Sequence, residues 1–135
     1  MIAKVIYKGN LRTEATHLKS GNVIITDAPT DNQGKGEAFS PTDLASTSLA
    51  SCILTIMGIA AQNHDIDITG SQAEVIKVMA SNPRRIAEIN IKLIMPARDY
   101  SQKNKKILEA AAHHCPVGLS LHPETKENII IQWAE

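Results

Sequence analysis

The chain is poor in aromatic residues. Tyr7, Phe39, Tyr100 and Trp133 are the only four, so its core has to rest on Ile, Val, Leu, Met and Ala. It has no excess of either charge: Lys plus Arg and Asp plus Glu each number 14. That balance offers neither a basic surface for nucleic acid nor an acidic tail for a basic partner. A secretory leader is not expected, because Met1-Ile2-Ala3-Lys4-Val5 alternates like a strand instead of opening an apolar run. The longest apolar stretch, around Ile53 to Ala61, falls short of the ~20 residues of a membrane span. No membrane partner is expected, and the chain reads as cytoplasmic. There are two cysteines, Cys52 and Cys115. In a reducing compartment such a pair argues against a static disulfide and leaves inert core thiols or redox chemistry. No phosphate-binding fingerprint is present, since Gly34-Lys35-Gly36 is too short to form one, and no cofactor is implied.

At 135 residues the chain fits a single domain, 1–135. Residues 2–8 and 11–17 read as strands joined by a tight turn at Gly9-Asn10, and Val23 to Thr26 as a third. Asp31-Asn32-Gln33-Gly34-Lys35-Gly36 is too rich in Gly and Asn for regular structure and reads as a mobile loop, with 30–38 a candidate lid. Ser40-Pro41-Thr42-Asp43 is a helix start: Ser40 suits the N-cap, Pro41 the first helical position, and Asp43 can close a capping box. The helix should run from Pro41 to about Asn63, apolar on most of its circumference and so packed on several sides. Residues 66–80 and 85–95 form a hairpin around Ser81-Asn82-Pro83-Arg84, with Ile89, Ile91, Leu93 and Met95 turned inward. A second helix opens at Asp99-Tyr100-Ser101-Gln102 and ends at Cys115-Pro116, because the residue before proline is pushed out of the helical region. A short helix, Val117 to Leu121, and a strand, Asn128 to Trp133, complete the order βββ-α-ββ-α-β. This is an α+β domain of antiparallel strands around a long central helix.

The cysteines lie far apart in sequence, so CxxC logic does not apply and any pairing depends on the fold. Two readings stand open. Free cysteines are commonly buried small hydrophobes; alternatively, one thiolate meets peroxide and the other traps the sulfenic acid before it oxidises further. Local context favours Cys115 as the more activated thiol, beside His113 and His114 and at the start of a short helix. Cys52 lies about three turns into its helix, where the macrodipole has faded. A metal site built on His113, His114, Cys115 and Cys52 is disfavoured, because neighbouring residues at a helix end do not readily reach one ion.

Ser40-Pro41-Thr42-Asp43-Leu44, ahead of Ser51-Cys52, resembles the signature of the osmotically induced and organic hydroperoxide resistance (OsmC/Ohr) family. His114-Cys115-Pro116-Val117 resembles its second cysteine motif, and the likeness spans nearly the whole chain. The resemblance implies an OsmC-like fold in an intertwined homodimer. It implies a thiol-dependent peroxidase acting on organic hydroperoxides or H2O2, with Cys52 peroxidatic, Cys115 resolving and an external dithiol as reductant. It thereby reverses the local ranking of the thiols. Arg12, in Leu11-Arg12-Thr13-Glu14, resembles the family's catalytic arginine, which would hold the thiolate and polarise the O–O bond. The family's peroxidases carry a glutamate directly after the helix-opening proline, where this chain has Thr42. Asp43, Glu14 and Glu37 are the candidates to orient Arg12 instead, and Asp43 can equally be a plain helix cap. The departure supports an alternative: a weakly or non-catalytic dimer that binds a small hydrophobic or thiol-containing ligand.

Overall fold

The computed structural model describes residues 1–134. The elements run β1 (Ala3–Gly9), β2 (Arg12–His17), β3 (Val23–Asp27), α1 (Pro41–Asn63), β4 (Gln72–Ala80), β5 (Arg85–Ile94), α2 (Gln102–Ala112), α3 (Pro116–Ser120) and β6 (Lys126–Gln132). The fold is mixed α+β in the expected order, with α3 as the expected short addition. It divides into two compact units, Met1–Ala45 and Ser46–Glu135.

The first unit is an antiparallel sheet in the order β1-β2-β3. Its first turn is shifted by one residue from expectation: Gly9 pairs with Arg12, and the central residues are Asn10 and Leu11. Both have left-handed backbones, φ 53° and 63°. Asn tolerates that conformation, whereas a bulky side chain is strained there by about 1–2 kcal/mol. The Leu11 N–H donates to Tyr7 Oη at 3.3 Å, and the Leu11 carbonyl accepts from the Ala28 N–H at 3.0 Å. These bonds hold the turn. The segment after β3 is less irregular than its composition suggested. It contains a 3-10 turn, Thr30–Asn32, and closes on itself through Gly34 N–H to Pro29 O at 2.9 Å and Gly36 N–H to Ala28 O at 3.2 Å.

No apolar residue of this unit is buried; its buried residues are Thr26, Asp27 and Ser40. The register aligns Val5, Ala15 and Ile24 on one face of the sheet and Ile6, Glu14 and Ile25 on the other. Val5, Ile6, Ile24 and Ile25 are all exposed in the single chain.

The second unit holds the core. Along α1, Leu49, Ala50, Ile53, Met57 and Ala61 recur at helical spacing and are buried. They cluster with Ile89, Ile91, Leu93 and Met95, and with Leu108, Ala112 and Cys115. Each large aliphatic buried in this way stabilises the fold by ~1.5–3 kcal/mol. The inward set on β5 is the one its alternation predicted. Within this chain α1 is covered on one face and not on several, since Thr55 and Ile59 remain exposed. By length and composition alone α1 could cross a membrane; an uninterrupted-run count misses this because Ser and Thr interleave its apolar residues.

β6 pairs parallel to β5, where an all-antiparallel arrangement was expected. The reason is connectivity: α2 and α3 form the long crossover that a parallel pair requires. α2 is capped by Ser101, whose side chain accepts from the Asn104 N–H, two residues later than the Asp99 cap read from sequence.

Candidate functional site

The chemistry-bearing residues form two centres, one in each unit. In the first unit Arg12 opens β2 and the register sets Asp27, at the end of β3, directly across from it. Side chains opposed across antiparallel strands share a face, so guanidinium and carboxylate meet. Arg12 Nε lies 2.7 Å from Asp27 Oδ1, and Nη2 lies 2.8 Å from Oδ2. This bidentate geometry is the strong form of a charged pair. Nη2 also donates to Glu37 Oε2 at 3.1 Å. Asp27 is only 1% exposed, whereas Glu37 is 65% exposed. The Arg12 hydrogen bonds, followed by its charge, hold the Asp27 carboxyl below its usual range, against the opposing effect of burial; the Glu37 backbone N–H adds to this. The Asp27 hydrogen bond in turn raises Arg12 above its ordinary value, so the guanidinium stays charged. Nε and Nη2 are thus occupied, and among the described residues Nη1 has no partner.

Of the three carboxylates offered by the sequence, Glu37 reaches Arg12. Asp43 instead closes the helix cap: its Oδ2 accepts from the Ser40 N–H at 3.0 Å, and its own N–H donates to Ser40 Oγ at 3.0 Å. Glu14 is not among the described partners of Arg12. Asp27 was missed because β3 was ended at Thr26. Counting the antiparallel register outward from the turn at Gly21 would have found it, since Thr16 opposite Val23 puts Arg12 opposite Asp27.

The second centre joins the cysteines. Cys52 is half-buried on α1 and packs against the core cluster that contains Cys115. Cys115 is the N-cap of α3, held in an extended conformation before Pro116. Its Sγ accepts from the Gly118 N–H at 3.5 Å. Burial is the largest influence on this thiol and raises its pKa; the neighbouring Cys52 thiol raises it further, and the Gly118 and Val117 N–H groups pull the other way. The local sequence argument for an activated Cys115 therefore fails, because 3% exposure outweighs the helix-start amides.

His113 and His114 are exposed, and His114 Nδ1 bonds the Ala110 carbonyl at 2.6 Å. Among the described residues, no group of three or more His, Cys, Asp or Glu could hold a metal ion.

A half-buried thiol on a helix, a buried second thiol in the core cluster it packs against, and a carboxylate-held arginine on a separate sheet define a two-cysteine α+β protein. A family profile described as OsmC-like protein matches residues 34–129. The chain belongs to that family. A solved structure of a candidate osmotic stress induced and detoxification response protein from Psychrobacter arcticus is 55% identical, covers 98% of this chain and 96% of its own, and superposes with a TM-score of 0.93. The organic hydroperoxide resistance protein OsmC of Legionella pneumophila is 16% identical, covers 97% and 95%, and has a TM-score of 0.76. OhrB of Bacillus subtilis, an organic hydroperoxide resistance protein, is 17% identical, covers 98% of each chain and has a TM-score of 0.63. At those identities the last two share the fold. No curated protein matches the chain significantly.

Proposed function

We propose that this chain is a cysteine-based peroxidase that reduces organic hydroperoxides or H2O2. The observation that carries the reading is the thiol pair: two cysteines from distant segments are gathered at one core, with the half-buried Cys52 packed against the cluster that holds the buried Cys115, whose pKa burial raises. The detoxification description of the Psychrobacter relative and the hydroperoxide resistance of the Legionella and Bacillus proteins support the same chemistry.

In this mechanism the Cys52 thiolate attacks the terminal oxygen of R–O–OH. An S–O bond forms, the O–O bond breaks, and the alkoxide leaves as an alcohol after taking a proton from solvent. Arg12 offers Nη1 to the oxygen that gains charge, while Asp27 holds the fork in place. The Cys115 thiol then condenses with the Cys52 sulfenic acid, forming the disulfide and releasing water. An external dithiol reduces the disulfide by exchange. A cytoplasmic location belongs to this reading, because a reducing compartment regenerates the dithiol. No metal or cofactor takes part.

The proposal includes a homodimer in which the arginine centre and the thiol pair come together as one site. Its support is the first unit, a three-stranded sheet with exposed aliphatic residues on both faces and no buried apolar residue of its own. Such a sheet needs a covered hydrophobic face to be stable, and a second copy of the chain would supply it.

The test is to treat reduced protein with one equivalent of cumene hydroperoxide and measure intact and peptide masses. Loss of two hydrogens as a Cys52–Cys115 disulfide within seconds is expected. Cys52→Ser should stop peroxide consumption, and Cys115→Ser should consume one equivalent and then overoxidise. Wild-type protein that remains reduced would sink the proposal and favour a ligand-binding dimer without turnover.

A further inference from the structure

We propose that Leu11 is a specificity-determining residue, providing the apolar surface that receives the organic group of a hydroperoxide whose oxygen is held by Arg12. The inference rests on the peroxidase reading above and concerns which peroxide the site prefers. The first observation is conformational. Leu11 is the second central residue of the β1–β2 turn and has φ 63°, a position suited to glycine and strained for a leucine. Its backbone is pinned on both sides, by Tyr7 Oη and by the Ala28 N–H, so the turn is held in this strained form.

The second observation is that burial within the chain does not account for the residue. The isobutyl group is 43% exposed, and Tyr7 and Phe39 in the same unit are 63% and 53% exposed. A strained backbone that presents a partly open apolar side chain points outward, to something the single chain does not contain. The third observation is position. Leu11 precedes Arg12, whose Nε and Nη2 are taken by Asp27 and whose Nη1 has no partner among the described residues. An organic hydroperoxide is polar at one end and apolar at the other. A cation and an exposed aliphatic group on consecutive residues, with Cα atoms about 3.8 Å apart, match those two ends.

The experiment measures kcat/KM for cumene hydroperoxide and for H2O2 in wild type, Leu11→Gly, Leu11→Asn and Leu11→Met. Gly and Asn adopt the turn without strain and remove the aliphatic surface, and Met retains it. The ratio of cumene hydroperoxide to H2O2 should fall about 10-fold or more in Leu11→Gly and Leu11→Asn, through KM, as expected for a lost aliphatic contact. It should stay within about threefold in Leu11→Met. Melting temperature should rise by about 2–6 °C in Leu11→Gly as strain is released. A ratio that does not move in active Leu11→Gly overturns this inference and leaves the peroxidase reading standing. Equal loss on both peroxides, with dissociation in sedimentation velocity, makes Leu11 an interface residue and also overturns it. Wild type that turns over neither peroxide takes down both readings together.

Discussion

Replacing Gly34 by Ala tests how the arginine centre is built. A Cβ at Gly34 would overlap the Ala28 carbonyl group and stand 2.6 Å from Ala28 Cα. The obstacle is backbone, which cannot rotate aside as a side chain can. Relief requires the loop to move away from Ala28, and that movement breaks the Gly34–Pro29 and Gly36–Ala28 hydrogen bonds. Overpacking strain of ~1–3 kcal/mol and two bonds at ~0.5–1.5 kcal/mol each give a destabilisation of about 2–6 kcal/mol. The same loop delivers Glu37 to Arg12, so Cys52 oxidation should also slow. Gly58→Ala is the internal control. Nothing lies within 4 Å of a Cβ at Gly58 in α1, and helix propensity there favours Ala by ~0.8–1 kcal/mol. Urea unfolding with a shared m-value compares the three proteins. A Gly34→Ala protein within about 0.5 kcal/mol of wild type would refute the steric reasoning. A Gly58→Ala protein less stable than wild type would mean that another chain packs against that helix face.

Asp27→Asn should slow Cys52 oxidation more than Asp43→Asn does, in stopped-flow with cumene hydroperoxide, because Asp27 holds the Arg12 fork and Asp43 holds a helix cap; the reverse order would return Asp43 to the site. The depressed Asp27 carboxyl favours the fold above about pH 3.9, its unfolded value, and that contribution is lost as pH falls through its lower folded value. The stability gap between wild type and Asp27→Asn should therefore narrow in acid. Cys115 has the opposite sign: its folded pKa is raised, so its contribution is complete below the unfolded thiol value of about 8.5 and is lost as pH rises through the folded one. Urea midpoints of wild type should drop more steeply above about pH 8.5 than those of Cys115→Ala, and parallel curves would contradict the burial argument.

Much of the fold was legible because its signals are local. The Ser40–Asp43 box starts α1 where a reciprocal cap can form, Pro116 opens α3 with Cys115 extended before it although α2 already ends at Ala112, and alternation along β5 selects Ile89, Ile91 and Leu93 for the core. Each depends on a few neighbouring residues and on backbone geometry. The elements that escaped depend on register and connectivity. The parallel pairing of β6 follows from the crossover through α2 and α3, and the turn centred on Asn10 and Leu11 follows from how β1 meets β2.

The sequence alone determined the order of elements, the amphipathic faces and the presence of two thiols, because periodicity and caps are written residue by residue. Only the tertiary structure decided what those residues do to one another. It put Asp27 across from Arg12 and left Asp43 in the cap, because a one-residue extension of β3 carries a carboxylate into the ladder. It buried Cys115 against Cys52, so that desolvation, a property of the surrounding core and not of neighbouring residues, turned the locally activated thiol into the protonated partner.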